Sequence, residues 1–191
     1  ATDAAVGAEA AAVGRAVAEN TLTHRQCFIE IMNGCCNNYF KSFPPPNRWY
    51  VYSGSCASPF PPTVPSNALG SALFIKTPHT ACGSVGVVTY DLLHDDDDQP
   101  SEKIAVMFSN PYDFNLFSNW YAVGIFDKSK QCDYDLYSEM YYGSSESFIR
   151  GQAGGEVLSH TGQRVSILAT MSDANQPIVK VVLRERNINC L

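Results

Sequence analysis

Two stretches gather side chains able to do binding chemistry. NPYDFNLFSNWY, residues 110–121, sets Tyr112, Phe114, Phe117, Trp120 and Tyr121 among Asn, Asp and Ser. CDYDLYSEMYYG, residues 132–143, puts Tyr134, Tyr137 and Tyr141 at helical spacing and follows Tyr141 with Tyr142. The first stretch fits neither a strand period nor a helical one over its length, and Pro111 removes a backbone donor, so it reads as a loop. Loops lie at the surface because their backbone groups need water. Rings on a surface loop suit a membrane interface or a cage for a quaternary ammonium such as choline, which aromatic faces hold by cation–π attraction. Core filling is the alternative, and it suits Trp120, which opens an alternating strand.

Other chemistries find less support. The chain has four histidines, His24, His79, His94 and His160, and shows no Gly-x-Ser-x-Gly, His-Glu-x-x-His or phosphate-binding glycine loop. We therefore expect no enzyme, no metal and no cofactor. The Asp95–Asp98 run beside His94 lacks the glycine and distal glutamate of a calcium loop and reads as a solvated hairpin tip. A net charge of −6 with scattered Lys and Arg argues against nucleic acid. Seven cysteines without a Cys-x-x-Cys pair are expected to be mostly reduced thiols.

The elements that must carry these rings are mostly strands. Alternating or apolar segments at 27–32, 48–53, 72–76, 85–93, 103–109, 120–126, 164–171 and 178–185 predict a mainly β chain with the rhythm of a β-sandwich. The proline-rich 59–65 segment is expected to connect without regular pairing, and 94–100 to join two strands. Residues 3–22 are Ala-rich, and Val6, Ala10, Val13 and Val17 line one face of an amphipathic helix. A second helix is expected near 132–143, closed by Gly143. The division is thus one domain over 1–191, with a helix in 1–24 and a sandwich in 25–191. No eighteen-residue apolar run and no leader pattern occur, so the expectation is a soluble protein, secreted or cytosolic.

AVMFSNPYDFNLFSNWYAVGIF (105–126), followed by LYSEMYYG (136–143), resembles the actinoporins, the pore-forming cytolysins of sea anemones. CGSVGVVTYDLL (82–93) resembles their upstream segment and, more closely, that of the actinoporin-like proteins of bony fish. The resemblance implies a β-sandwich flanked by two helices, the N-terminal one detachable. It implies a protein monomeric in solution that binds phosphocholine headgroups, with preference for sphingomyelin. Such a protein forms a homo-oligomer on the target cell membrane and inserts its first helix into the pore. Carried over, the headgroup site falls on Ser53, Val85, Ser109, Pro111, Phe117, Tyr137, Tyr141 and Tyr142. Tyr112, Phe114, Leu116 and Trp120 match the membrane-interface cluster, and Val6, Ala10, Val13 and Val17 the pore helix. The chain departs from the pattern at four places. Phe117 stands for a usual Tyr, Leu116 for a usual Trp, Tyr52 for Arg, and Gln152 interrupts the Arg-Gly-Asp triplet after Arg150-Gly151. These departures keep open a second reading, a non-lytic lipid- or glycan-binding, lectin-like module on the same fold.

Overall fold

A computed structural model describes residues 25–41 and 48–186. The expected pore helix, with Val6, Ala10, Val13 and Val17, lies outside the described residues. Among the described residues, thirteen strands and one helix follow in chain order. They are β1 (Gln26–Asn33), β2 (Asn38–Lys41), β3 (Trp49–Ser53), β4 (Ser55–Ser58), β5 (Thr63–Val64), β6 (Leu69–Ile75) and β7 (Ser84–His94). After β8 (Glu102–Asn110) and β9 (Trp120–Asp127) comes the helix α1 (Tyr134–Tyr142). β10 (Phe148–Gln152), β11 (Leu158–Thr161), β12 (Val165–Met171) and β13 (Ile178–Glu185) complete the described elements.

The strands form two sheets, as the β-sandwich expectation required. One runs β11-β12-β13-β1-β6-β4, with β1 and β13 parallel. The other runs β10-β9-β8-β7-β2-β5, and β3 also pairs with β7. Strand β7 is long enough to seat β3 against Val85–Val88 and β2 against Asp91–His94 along the same edge. Between the sheets, Val88, Tyr90, Val106, Phe108, Tyr121 and Val123 meet Ile29, Phe74, Ile167 and Val181 in one buried cluster.

The outer face of the second sheet is apolar too. Val85, Val87, Ala105, Met107 and Ala122 pack there against Leu136, Tyr137 and Met140 of α1. That double covering explains why 85–93 shows no polar alternation: both faces of β7 are buried. Leu136 and Met140 are fully buried, each worth about 1.5–3 kcal/mol of transfer free energy. Their spacing of four makes one helical stripe, to which the buried Tyr137 adds its ring.

Two sequence expectations need correction. The 59–65 stretch does pair: Thr63 and Val64 form a short antiparallel ladder with Lys41 and Phe40. Prolines flank these two residues without removing their N–H groups, and β5 is a sheet edge, where proline is tolerated. Strands β2, β4, β10 and β11 were not expected at all, because four or five residues with few apolar side chains carry almost no periodic signal. The hairpin expected at 94–100 joins β7 to β8, and its aspartates are exposed.

Candidate functional site

Register assembles the site from distant residues. Ser53 lies opposite Val85, Val85 opposite Ser109, and Ser109 opposite Trp120, so four sequence-selected residues form one row across β3, β7, β8 and β9. The row lies at one end of the second sheet, and Gln152 of β10 extends it beyond Trp120. A bulge between Val51 and Ser53 shifts the β3 register there. It leaves Tyr50 and Tyr52 both in ring contact with α1.

Helix α1 supplies the rings above that row. Asp133 caps it, its carboxylate accepting from Leu136 N–H at 3.0 Å, and Gly143 N–H closes the last turn on Glu139 O at 2.8 Å. The tyrosines expected on one face do touch, but in different environments. Tyr137 is buried, Tyr141 half-buried and Tyr134 exposed. Tyr52 stacks on Tyr137 with centroids 5.0 Å apart and planes 17° from parallel. Tyr137 meets Tyr141 at 5.7 Å, and Tyr141 meets Tyr142 edge-on at 4.7 Å. Tyr142 is 71% exposed. Burial, and next the neighbouring phenols Tyr141, Tyr142, Tyr52 and Tyr134, push the Tyr137 hydroxyl well above the ordinary tyrosine range. It therefore stays a neutral donor, able to hydrogen-bond a phosphate oxygen.

The loop after Asn110 adds the second group of rings. Pro111 and Trp120 are half-buried, while Tyr112, Phe114, Leu116 and Phe117 are exposed, Leu116 at 73% and Phe117 at 54%. Trp120 lies outside both core clusters, which corrects the core reading: its ring faces the Arg150 guanidinium at 5.1 Å. Arg150 also donates to Tyr141 O, tying the helix end to the row. The loop is ordered by its own polar residues. Asp113 accepts from Asn115 N–H at 2.8 Å, and Phe117 N–H returns to Asp113 O at 3.0 Å. At its base the buried Asn110 amide donates to Asn119 Oδ1 at 3.0 Å, and Asn119 donates to Ala174 O at 2.8 Å.

Several contributors escaped sequence reasoning. Arg25 donates to Pro111 O and Tyr112 O and lies 4.2 Å from the Phe114 ring centroid. Lys76 Nζ sits 5.6 Å from the Tyr112 centroid. Gly83 lets the 77–83 loop press on the aromatic loop, since a Cβ there would come within 2.4 Å of Asn110 O. Ser53 Oγ donates to Gly83 O at 3.1 Å, so part of its capacity serves the loop. These contacts span up to 87 residues, and no local pattern announces them. The arrangement can offer ring faces to a cation, with Ser and Tyr hydroxyls of the same end of the sheet, the buried Ser109 and Tyr137 among them, as donors to an anion.

Comparison with known proteins gives the context. The family model for sea anemone cytotoxic protein matches residues 29–184. DELTA-actitoxin-Aas1a of Anthopleura asiatica is 36% identical over 120 residues, 61% of this chain and 52% of that protein. DELTA-actitoxin-Aeq1b of Actinia equina is 34% identical over 109 residues, covering 55% and 46%, and nigrelysin of Anthopleura nigrescens 36% over 97, covering 49% and 41%. The matches thus span about half the length of these curated relatives. Among solved structures, the lipid binding protein Nakanori superposes with a TM-score of 0.63 at 12% identity, covering 95% of this chain and 87% of that one. At that identity the likeness is one of fold.

Proposed function

Because the chain belongs to the sea anemone cytotoxic protein family, the actinoporins, we propose that it is a membrane-binding pore-forming protein that recognises phosphocholine headgroups. The observation that carries this reading is the convergence of the Ser53–Val85–Ser109–Trp120 row with Tyr137, Tyr141 and Tyr142 at one end of the second sheet. The trimethylammonium rests against the tyrosine faces, each good ring contributing about 0.5–2 kcal/mol. The phosphate takes hydroxyl donors from Tyr137 and Ser109. Tyr112, Phe114, Leu116 and Phe117 enter the interfacial layer, where aromatic side chains are favoured. Among the described residues no helix is long and apolar enough to cross a membrane. The N-terminal amphipathic segment inserts, acting in a ring of several copies on sphingomyelin-containing bilayers.

Dye release from phosphatidylcholine vesicles with and without sphingomyelin, measured beside vesicle binding, tests this reading. The full chain should bind and release dye, more with sphingomyelin present. Deleting residues 1–22 should abolish release and leave binding intact. Binding without any release by the full chain would select the non-lytic module, and absence of binding to both vesicle types would reject the headgroup site itself.

A further inference from the structure

The pole opposite the aromatic residues carries a cleft that the headgroup site leaves unused. Strand β8 runs nine residues from Glu102 to Asn110, which separates the two by about 27 Å. The cleft holds about 530 Å³, within the usual range for a small-molecule site, and is lined in part by Glu102, Asp127, Glu146, His160 and Arg186. A neighbouring cleft of about 510 Å³ shares Gln163 with it and carries Asp96, Asp97 and Glu185.

In the 530 Å³ cleft, Glu102 has incomplete bonding. It is 9% exposed, and its Oε1 accepts from Gln163 N–H at 3.2 Å. Its Oε2 is buried without a hydrogen-bond partner. An acceptor left in that state carries the desolvation cost of a polar group with nothing in return. Gly162 lets the loop after β11 close over this carboxylate, since a Cβ there would lie 2.8 Å from Ile125 Cδ1 and 3.3 Å from Glu102 Oε1.

The surrounding charges choose the ligand. The lining contributes three carboxylates against one guanidinium, and Arg186 already donates to Gly162 O at 3.0 Å. Burial lowers the tendency of His160 to take a proton, an effect that Glu102 partly opposes. An anion would therefore enter a negative field. Among the described residues no group of three His, Cys, Asp or Glu is arranged to hold a metal ion. Directional N–H donors on a cation match what is left.

We propose that this cleft binds a small organic amine, whose ammonium group donates to Glu102 while Glu146 and Asp127 add charge. Isothermal titration of the full chain with putrescine and with spermidine in phosphate buffer tests it, butanediol serving as the uncharged counterpart of putrescine. Saturable binding of both amines and none of butanediol is expected. Glu102→Gln, which keeps an acceptor for Gln163, should weaken amine binding roughly tenfold through loss of a charge-assisted bond. Glu146→Gln, on an exposed loop, should weaken it about threefold. Asp173→Asn, outside the cleft, should leave it unchanged. No saturable amine binding, equal binding of butanediol, or unchanged affinity in Glu146→Gln or a folded Glu102→Gln would overturn the proposal. No lipid enters the assay, so its failure leaves the membrane reading untouched.

Discussion

Tyr141 and Tyr142 are neighbours in sequence but differ in what holds them. Tyr141 is half-buried between Tyr137 and Tyr142, and Arg150 fixes its carbonyl; Tyr142 projects with 71% of its surface free. A ring that is already ordered loses little entropy when a choline settles on it, so Tyr141 is the better cation–π partner. Tyr141→Ala should weaken binding to phosphatidylcholine vesicles by about 3- to 30-fold, the equivalent of one good ring, while Tyr141→Phe should retain most of the affinity. Vesicle co-sedimentation or surface plasmon resonance reads both. Equal losses in the two variants would assign the effect to the hydroxyl and reject the ring contact. Tyr52 belongs to the same argument. Where the resemblance expects Arg, this chain stacks a tyrosine on Tyr137, exchanging a phosphate partner for another aromatic wall. Tyr52→Ala should therefore lower vesicle affinity about threefold, and an unchanged affinity would place Tyr52 outside the site.

Helix α1 is the element on which the site depends most. Nine residues are too few for a stable helix in isolation, so its fixation rests on Leu136, Tyr137 and Met140 against the sheet and on the Asp133 cap. Asp133→Ala should cost about 1 kcal/mol of stability, read as a lower urea midpoint, and weaken vesicle binding because the tyrosines lose their anchorage. A stability loss with unchanged binding would mean the last turn holds the rings without the first. The element scale is also where the sequence was most and least legible. The tyrosine spacing and Gly143 announced α1 to within two residues, and the apolar runs announced the long strands. The paired sites of β2, β4, β10 and β11 stayed hidden, because short edge or near-edge strands owe their conformation to the neighbour rather than to their own pattern. The same holds inside the site. Tyr112 and Phe117 stood out as rings in a polar loop, whereas Arg25, Gly83 and the Asn110–Asn119 pair became visible only once the chain brought them together.

At the scale of the whole molecule, the cysteines set a limit on alkaline stability. The described ones are all unpaired thiols: Cys27 and Cys35 are buried, Cys56 and Cys132 half-buried, Cys36 and Cys82 exposed. Burial pushes Cys27 far above the ordinary thiol range, Cys35 up to about 12, and Cys56 and Cys132 each up to about 11. In the unfolded chain these groups ionise near about 8.5. Between that value and the folded pKa the unfolded state binds fewer protons than the native one, so stability is complete below about pH 8.5 and falls as pH rises. Each fully buried thiol removes about 1.4 kcal/mol per pH unit in that window, and the half-buried pair, whose window closes at about pH 11, removes less in total. Above about pH 10 the buried phenols Tyr90 and Tyr121, both raised by burial, act in the same direction. Urea midpoints measured under reducing conditions at about pH 7.5, 8.5 and 9.5 should show a plateau followed by a steep decline. Cys27→Ala should lower the plateau through its small cavity and flatten the decline by about 1.4 kcal/mol per pH unit. A parallel decline in wild type and variant would show that the Cys27 thiol ionises as readily in the sandwich as in water, and would contradict the dry interior on which the fold rests.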